Sequence, residues 1–163
     1  MSATNVTELT SADVDEIRNL ICEYSFLIDA YELDLERFRE LWAADAVFDL
    51  ERDVYGFGTP LVGVDAIMGR LGSYLAKDHA NEFTRHLSAN HRVELIHGQA
   101  IAQSTLLSVR YDLSDESGAA RLSRTGVYRD RFVHERGRWR FAKRLLGWDP
   151  PARGSGSVLD PVG

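Results

Sequence analysis

Four long segments of β character, joined by short turn-rich connections, constrain the fold of this chain more than any other feature. The segments span residues 83–96, 99–113, 121–134 and 138–148, and the first connection is only His97-Gly98. Connections this short favour antiparallel hairpins, because a parallel pair needs a crossover of a dozen or more residues. The sequence therefore predicts an antiparallel meander over its second half.

Three helical patterns precede this meander. The first begins at Asp13, and its main apolar stripe recurs at spacings of three and four. A second line on the same helix predicts burial on two faces and places Asp29 in an apolar row with Phe26 and Leu33. Two shorter helices are predicted over 34–42 and 65–76, with a short strand over 46–50 between them. The main stripe consists of Val14, Ile17, Ile21, Tyr24, Ile28 and Tyr31.

Helices followed by an antiparallel meander are typical of the α+β class. We expect three N-terminal helices packed on a curved antiparallel sheet that forms a cone-shaped barrel with a pocket inside. The barrel domain would span residues 13–148, with a flexible leader over 1–12 and a Pro/Gly/Ser-rich tail over 149–163. The outer face of the sheet would need cover, which predicts a homodimer or homotrimer formed through that face.

Composition and charge exclude several classes of protein. Apolar residues make up 44% of the chain and charged residues 27%, which argues against disorder. No apolar run approaches the roughly 20 residues of a membrane helix, and the first fifteen residues lack a secretory signal, so we expect a cytoplasmic protein. The net charge of −6 argues against binding to nucleic acid or to an anionic membrane. Basic residues between Arg121 and Arg144 alternate with apolar ones, which is typical of the solvated face of a strand.

Asp29 and His86 occupy positions that suggest chemistry. A carboxylate in an apolar row is either desolvated or held by a partner. On the predicted strand, His86, Ser88 and Asn90 share one face, which is polar without being charged and suits a ligand cavity. A carboxylate bonded to one ring nitrogen of a histidine orients the other nitrogen for proton transfer. An Asp–His pair could therefore form where the first helix crosses this strand.

The sequence contains no metal or nucleotide motif. The remaining histidines have no zinc-like spacing, and the lone Cys22 is expected to be a small buried apolar side chain. The glycine-rich segment 56–63 does not match the dinucleotide fingerprint, because Pro60 interrupts it. We therefore expect no metal and no cofactor, and a small-molecule substrate as the partner. The weaker histidine candidates are His79, His91, His97 and His134.

Several short motifs follow one another in a specific order along residues 13–148. They are Ile17-x-x-Leu20 with Tyr24 and Asp29, Trp42 followed by Asp45-Ala46-Val47-Phe48, His86-x-x-x-Asn90, Gly126-x-Tyr128, and Gly137-x-Trp139-Arg140. In this order they resemble the SnoaL-like branch of the nuclear transport factor 2-like superfamily, above all the dehydratases and dehydrochlorinases related to scytalone dehydratase, bile acid 7α-dehydratase and the lindane dehydrochlorinase LinA. The resemblance implies a cone-shaped α+β barrel around an apolar pocket, usually dimeric or trimeric, working without metal or organic cofactor.

The resemblance also implies roles for individual residues. His86 matches the family's general base, Asp29 the acid that orients it, and Tyr24 a tyrosine that donates a hydrogen bond to substrate. Arg144 falls where some members keep an arginine beside the leaving group or developing anion. The expected substrate-binding residues are Ser88, Asn90, Phe26 and Trp42.

Some of these roles have structural alternatives. Tyr24 lies on the main apolar stripe and fits a packed aromatic side chain equally well, and Arg144 could instead pair with Asp29. Ser104 and Thr105 occupy the region where some dehydratases place a second acid or histidine. The proton donor to the leaving group is therefore not identified.

Together, these inferences predict a cofactor-independent lyase that removes water or another small anion from a small apolar cyclic or polyketide-like substrate with an Asp–His base. One alternative is a polyketide cyclase or isomerase, because these reactions begin with the same proton abstraction. Another is a non-catalytic small-ligand binding or assembly module, which predicts that Asp29 and His86 are not in contact.

Overall fold

The computed structural model describes residues 7–30, 32–75 and 82–149. The helices are α1 (Ser11–Ile28), α2 (Leu35–Glu40), α3 (Val64–Ile67) and α4 (Ser73–Leu75), with a π-helical turn (Met68–Gly72) between the last two. The strands are β1 (Trp42–Leu50), β2 (Leu61–Val62), β3 (Glu82–Ile96), β4 (Gln99–Asp112), β5 (Ala120–Glu135) and β6 (Arg138–Trp148). Half of the predicted leader (residues 1–6) and nearly all of the predicted tail, together with Tyr31 and His79, lie outside the described residues.

The six strands form one mixed sheet in the order β2-β1-β6-β5-β4-β3. The predicted α+β class and the meander β3-β4-β5-β6 are confirmed, and all neighbouring strands of the meander are antiparallel. The sheet differs from the prediction in being open and in containing one parallel pair, β1 with β6. This pair forms because the meander returns β6 to the side of β1 with both strands running in the same direction.

Helix α1 begins two residues before the predicted start, because Thr10 caps it. The Thr10 hydroxyl accepts a hydrogen bond from the Asp13 backbone N–H, and the Asp13 carboxylate accepts one from the Thr10 backbone N–H. The other Asp13 oxygen accepts the indole N–H of Trp139 at 2.9 Å, which ties the start of α1 to β6. The prediction of two buried faces is wrong at Phe26, which is 69% exposed, although Asp29 in the same line is buried.

The second helix is shorter than predicted and the first strand is longer. Asp34 caps α2 by accepting the Arg37 backbone N–H, but the helix ends at Glu40 and Trp42 already belongs to β1. The Phe141 backbone N–H donates to the Leu41 carbonyl oxygen at 2.8 Å, and Trp42 pairs with Phe141 in the sheet. Pairing with β6 therefore draws this segment out of the helix, although helical propensity would extend it.

The core lies between the helices and the inner face of the sheet. Tyr24 from α1 stands at its centre, with aromatic ring centroids between 5.7 and 6.2 Å from its own. On the outer face, Leu87, Leu107 and Leu122 remain exposed, and cover of this face by a second subunit stays a prediction. Within the residues that the structure describes, no helix has both the length and the apolar character needed to cross a bilayer. The rings around Tyr24 belong to Phe38, Trp42, Tyr128 and Phe141.

Replacement of Gly126 by alanine is expected to destabilise the sheet. A Cβ at Gly126 would lie 2.5 Å from the Gly147 carbonyl oxygen, so β5 and β6 would have to move apart. We expect Gly126→Ala to lower the free energy of unfolding by about 1–3 kcal/mol, measured by urea denaturation. Gly69→Ala is the matched control, because nothing lies within 4 Å of that Cβ in the helical segment. Equal effects of the two substitutions would contradict the close approach of the strands.

Candidate active site

A cavity of about 470 Å³ lies between the end of α1, the loop after β1 and the inner face of the sheet. Its volume falls in the range that binds small molecules, and its walls are mainly aliphatic and aromatic. Polar groups enter at a few places, among them Asp29, His86 and Ser108. The apolar wall comprises Tyr24, Ile28, Phe48, Leu50, Tyr55, Phe57, Leu71, Tyr74, Leu75, Phe83, Leu106, Leu113, Tyr128, Leu146 and Trp148.

Asp29 occupies the C-cap of α1, and its side chain is only 2% exposed. A carboxylate is unfavourable at this end of a helix, where the peptide dipoles already place partial negative charge. Burial adds a desolvation cost, so the carboxylate requires partners. Both oxygens have one from β3: Oδ1 lies 2.6 Å from His86 Nδ1, and Oδ2 accepts the His86 backbone N–H at 2.8 Å. The Arg85 guanidinium adds an ion pair at 3.7 Å.

The contact with Asp29 determines which ring nitrogen of His86 bears the proton. An ionised carboxylate can only accept hydrogen bonds, so Nδ1 must be the donor. In the neutral ring, Nε2 then carries the lone pair, and within the described residues Nε2 has no hydrogen-bond partner. Because His86 lines the cavity and its side chain is 21% exposed, this nitrogen is available to a bound molecule.

The cavity wall opposite the meander depends on a loop organised by Asp53. Its carboxylate accepts backbone N–H groups of Phe57 at 3.0 Å and Gly58 at 2.6 Å, and the first of these bonds is the main reason why the pKa of Asp53 is lowered. The loop thereby presents Tyr55 and Phe57 as a stacked pair with ring centroids 5.2 Å apart. Tyr74 packs on both rings and completes an aromatic wall.

Two buried tyrosines form the deeper part of the wall. Tyr24 is 3% exposed, and burial raises the pKa of its hydroxyl well above the ordinary value. Burial likewise raises the pKa of Tyr128 to about 12. Both phenols therefore stay protonated at neutral pH. Tyr24 can donate a hydrogen bond into the cavity, and it is also the packed aromatic side chain that its place on the apolar stripe suggests.

Comparison with known proteins identifies the family. The model of the SnoaL-like domain matches residues 10–145, which is most of the chain. The chain belongs to the SnoaL-like domain family. No curated protein matches it in sequence.

Solved structures of low sequence identity share the fold of this SnoaL-like domain. An NTF2-like protein with a cystatin-like fold from Novosphingobium aromaticivorans has a TM-score of 0.68 at 23% identity, covering 92% of this chain and 90% of its own. ActVI-ORFA from Streptomyces coelicolor has a TM-score of 0.69 at 14% identity, covering 83% and 96%. A cystatin-like protein of unknown function from Nostoc punctiforme has a TM-score of 0.67 at 20% identity, covering 88% and 96%. Identities this low establish the fold alone.

Arg144 does not lie beside the cavity of the SnoaL-like domain as expected, nor does it pair with Asp29. It is fully buried, and its Cζ lies 3.7 Å from the ring centroid of Tyr128 and 4.1 Å from that of Tyr24. Its NH1 lies 3.6 Å from Oδ2 of Asp130, which is an ion pair too long for a hydrogen bond. Arg144 therefore packs on the rings of Tyr24 and Tyr128 in the core and does not itself line the cavity. Regular alternation from Phe141 would point it outward, but a register shift in β6 turns it inward.

The four predicted substrate-binding residues do not line the cavity. Ser88 shares the inner face with His86, but its hydroxyl bonds to His91 at 3.1 Å. Asn90 adopts a positive φ of 55° at a bulge and is exposed, with its amide 3.4 Å from the Thr105 hydroxyl. Phe26 lies on the solvent side of α1, and Trp42 is buried in the core below the cavity.

The bulge at Asn90 also turns His91 to the inner side of β3. Burial is the main reason why the pKa of His91 is lowered. Within the described ranges, no three metal-ligating side chains come together. His134 packs against Trp139 at the far end of the meander.

Sequence reasoning missed the aromatic loop and the cationic side chains of the cavity. Tyr55 and Phe57 each precede a turn-forming glycine, so the sequence predicts a turn-rich segment there without helix or strand periodicity. The alternation of basic and apolar residues in the meander predicts that Arg124 faces solvent. Arg124 is four residues from Tyr128 on the same strand, however, and both side chains line the cavity. This even spacing is the sequence signal that predicts an inward-facing Arg124 side chain, because residues i and i+4 of a strand lie on the same face of the sheet.

The His86 ring is expected to populate the tautomer that bears its proton on Nδ1. Asp29 imposes this form because its carboxylate accepts a hydrogen bond from the Nδ1–H group of His86. A histidine ring free in solution has no carboxylate to select that tautomer. Long-range ¹H–¹⁵N correlation spectra of the neutral ring should show a protonated Nδ1 and an unprotonated Nε2. Loss of the signals in His86→Gln assigns the resonances, and a neutral ring protonated on Nε2 would contradict the geometry.

The buried Asp130 is expected to make stability depend on pH. Burial raises the pKa of Asp130 to about 7, with Arg144 opposing the shift. The folded state then holds a proton between about pH 4 and pH 7 that the unfolded state releases, so stability falls as the pH rises through this range. Relative to Asp130→Asn, the free energy of unfolding of the wild type should fall by a few kcal/mol between these values. Urea denaturation at each pH measures it, and an unchanged difference would count against a raised pKa.

Proposed function

We propose that this SnoaL-like domain is a cofactor-independent lyase that eliminates water from a small, mostly apolar, cyclic or polyketide-like substrate. The observation that supports it most directly is the position of His86. Its Nδ1 is held by the buried Asp29 carboxylate at 2.6 Å, and its ring lies in the wall of a small-molecule cavity. A binding module would have no need of this arrangement, in which desolvation makes the carboxylate costly to bury.

In the proposed reaction, His86 Nε2 removes a proton from the carbon next to a carbonyl group. The C–H electron pair becomes the enolate, which then forms a carbon–carbon double bond as the β-hydroxyl group leaves. The proton held on His86 returns to the departing hydroxide, so the products are the unsaturated compound and one water molecule. Tyr24, whose raised pKa keeps it protonated, would donate a hydrogen bond to the enolate oxygen.

Asp29 acts in this scheme through His86. It holds the ring in one orientation and tautomer, and it stabilises the imidazolium that forms when the proton is taken. Because both carboxylate oxygens are already engaged by His86, the carboxylate has little freedom to rotate away. The imidazole is therefore placed before the substrate enters, which is the form of preorganisation that makes a general base effective.

Cyclisation or isomerisation remains the second candidate, because both begin with the same abstraction. The hydrogen bond between Asp29 and His86 supports these reactions equally, because it orients the base and does not determine how the enolate reacts. The mass of the product separates these reactions: elimination loses one water molecule, and isomerisation retains the mass of the substrate.

Substitution of the base is expected to abolish proton abstraction. In D₂O, a panel of aromatic β-hydroxyketones should exchange the α-hydrogen or lose water in the presence of the wild type. We expect His86→Gln to reduce this rate by roughly 10²–10⁴-fold, and Asp29→Asn to reduce it by a similar or smaller factor. ¹H NMR follows the α-hydrogen, and mass spectrometry follows the loss of water.

His91→Gln is the matched control, because His91 lies on the same strand but not in the cavity wall. It should retain wild-type exchange. Unfolding midpoints of all three variants test whether the fold survives. Exchange by His86→Gln at the wild-type rate would falsify the proposed base.

A further inference from the structure

Not every charged side chain that lines the cavity has an ion-pair partner. Asp29 is engaged by His86, and Glu82 pairs with Arg110 at 3.2 Å. Arg124 also lines the cavity, but no carboxylate within the described residues lies in ion-pair distance of it. One guanidinium in the cavity wall is therefore left without a counter-charge.

Strand register places this guanidinium in line with the proposed base. His86 on β3 pairs with Ser108 on β4, and Ser108 pairs with Arg124 on β5. Directly paired residues of antiparallel strands point to the same face, so the three side chains form one row across the inner sheet. Two strand spacings separate the backbones of His86 and Arg124 by about 10 Å. A ring-sized molecule could reach from one side chain to the other.

Arg124 is also held in place. Its Cζ lies 5.1 Å from the ring centroid of Tyr55 and 5.2 Å from that of Trp148. Stacking of this kind uses the faces of the guanidinium and leaves its N–H edge available. Arginine presents that edge as a rigid fork, which matches the two oxygens of a carboxylate.

We propose that Arg124 binds a carboxylate of the substrate, at the end of the molecule remote from the carbon that His86 deprotonates. This inference rests on the proposed function for the orientation of the substrate, but binding by Arg124 does not depend on turnover. It narrows the substrate class to cyclic or polyketide-like carboxylic acids. The apolar wall between the two ends would accommodate the ring, with Ser108 between the base and the cation.

Binding of matched probes tests this inference without the natural substrate. 2-Naphthoate carries the carboxylate, and 2-naphthamide is nearly isosteric but neutral. By isothermal titration calorimetry, the wild type should bind the naphthoate about tenfold to a hundredfold more tightly than the amide. Arg124→Gln should weaken naphthoate binding far more than amide binding and so remove that preference, and Arg124→Lys should restore part of it.

Arg121→Gln is the matched control, because Arg121 lies on the same strand with a 78% exposed side chain that faces Asp115. It should keep the preference of the wild type. Equal binding of the two probes by the wild type, binding of neither, or an unchanged preference in Arg124→Gln would overturn the proposal. His86→Gln separates the two claims: it should retain the preference for the naphthoate over the amide even though it loses α-hydrogen exchange. A wild type that prefers the naphthoate but never exchanges an α-hydrogen would refute the base and leave the Arg124 site standing.

Discussion

The two hydrogen bonds between the Asp29 carboxylate and His86 join the end of α1 to β3, and the cavity depends on that junction. The side chain is buried at a helix terminus of unfavourable polarity, so separation from β3 would leave a desolvated charge. Removing the partner of such a charge typically costs about 3–5 kcal/mol. At the other end of the helix, Asp13 and Glu16 accept the side-chain and backbone N–H groups of Trp139. Helix α1 is thus held against β6 at its start and against β3 at its end, and the cavity lies beneath its last turn.

Irregularities of the sheet decide which side chains reach that space. A bulge after Ala89 turns Asn90 outward and His91 inward, and a register shift in β6 brings Arg144 onto the inner face. Bulges also bend strands, which lets a six-stranded open sheet curve around the helices without closing. The bulges and register shifts therefore determine both the curvature of the sheet and the orientation of these side chains.

The same irregularities explain what the sequence could and could not predict. Period-two alternation and short turns were sufficient for the four long strands, whose observed bounds differ from the predicted ones by a single residue or not at all. The motif order indicated the family, and the second apolar line of the first helix placed Asp29 near the core, although Phe26 in the same line is exposed. The role expected for Asn90 depended on unbroken alternation, and that of Arg144 on the family resemblance. No local signal marks the bulges that set the orientation of both side chains. Tyr55 and Phe57 depend on the Asp53 turn, which only tertiary structure brings to the cavity.

Two of the inward-facing arginines, Arg144 and Arg124, show why burial alone does not identify a functional cation. Arg144 is fully buried, lies over the rings of Tyr24, Tyr128 and Phe141, and has Asp130 as its counter-charge. It cannot exchange these partners for a ligand without opening the core. Arg124 has similar aromatic neighbours but borders the cavity, and its edge faces no carboxylate in the described part of the chain. A substrate held there would have its reactive carbon near His86 and its anionic group at the far end. In a conjugated substrate, the negative charge that develops on deprotonation would spread toward the cation, so Arg124 could favour the transition state as well as the orientation of the bound molecule.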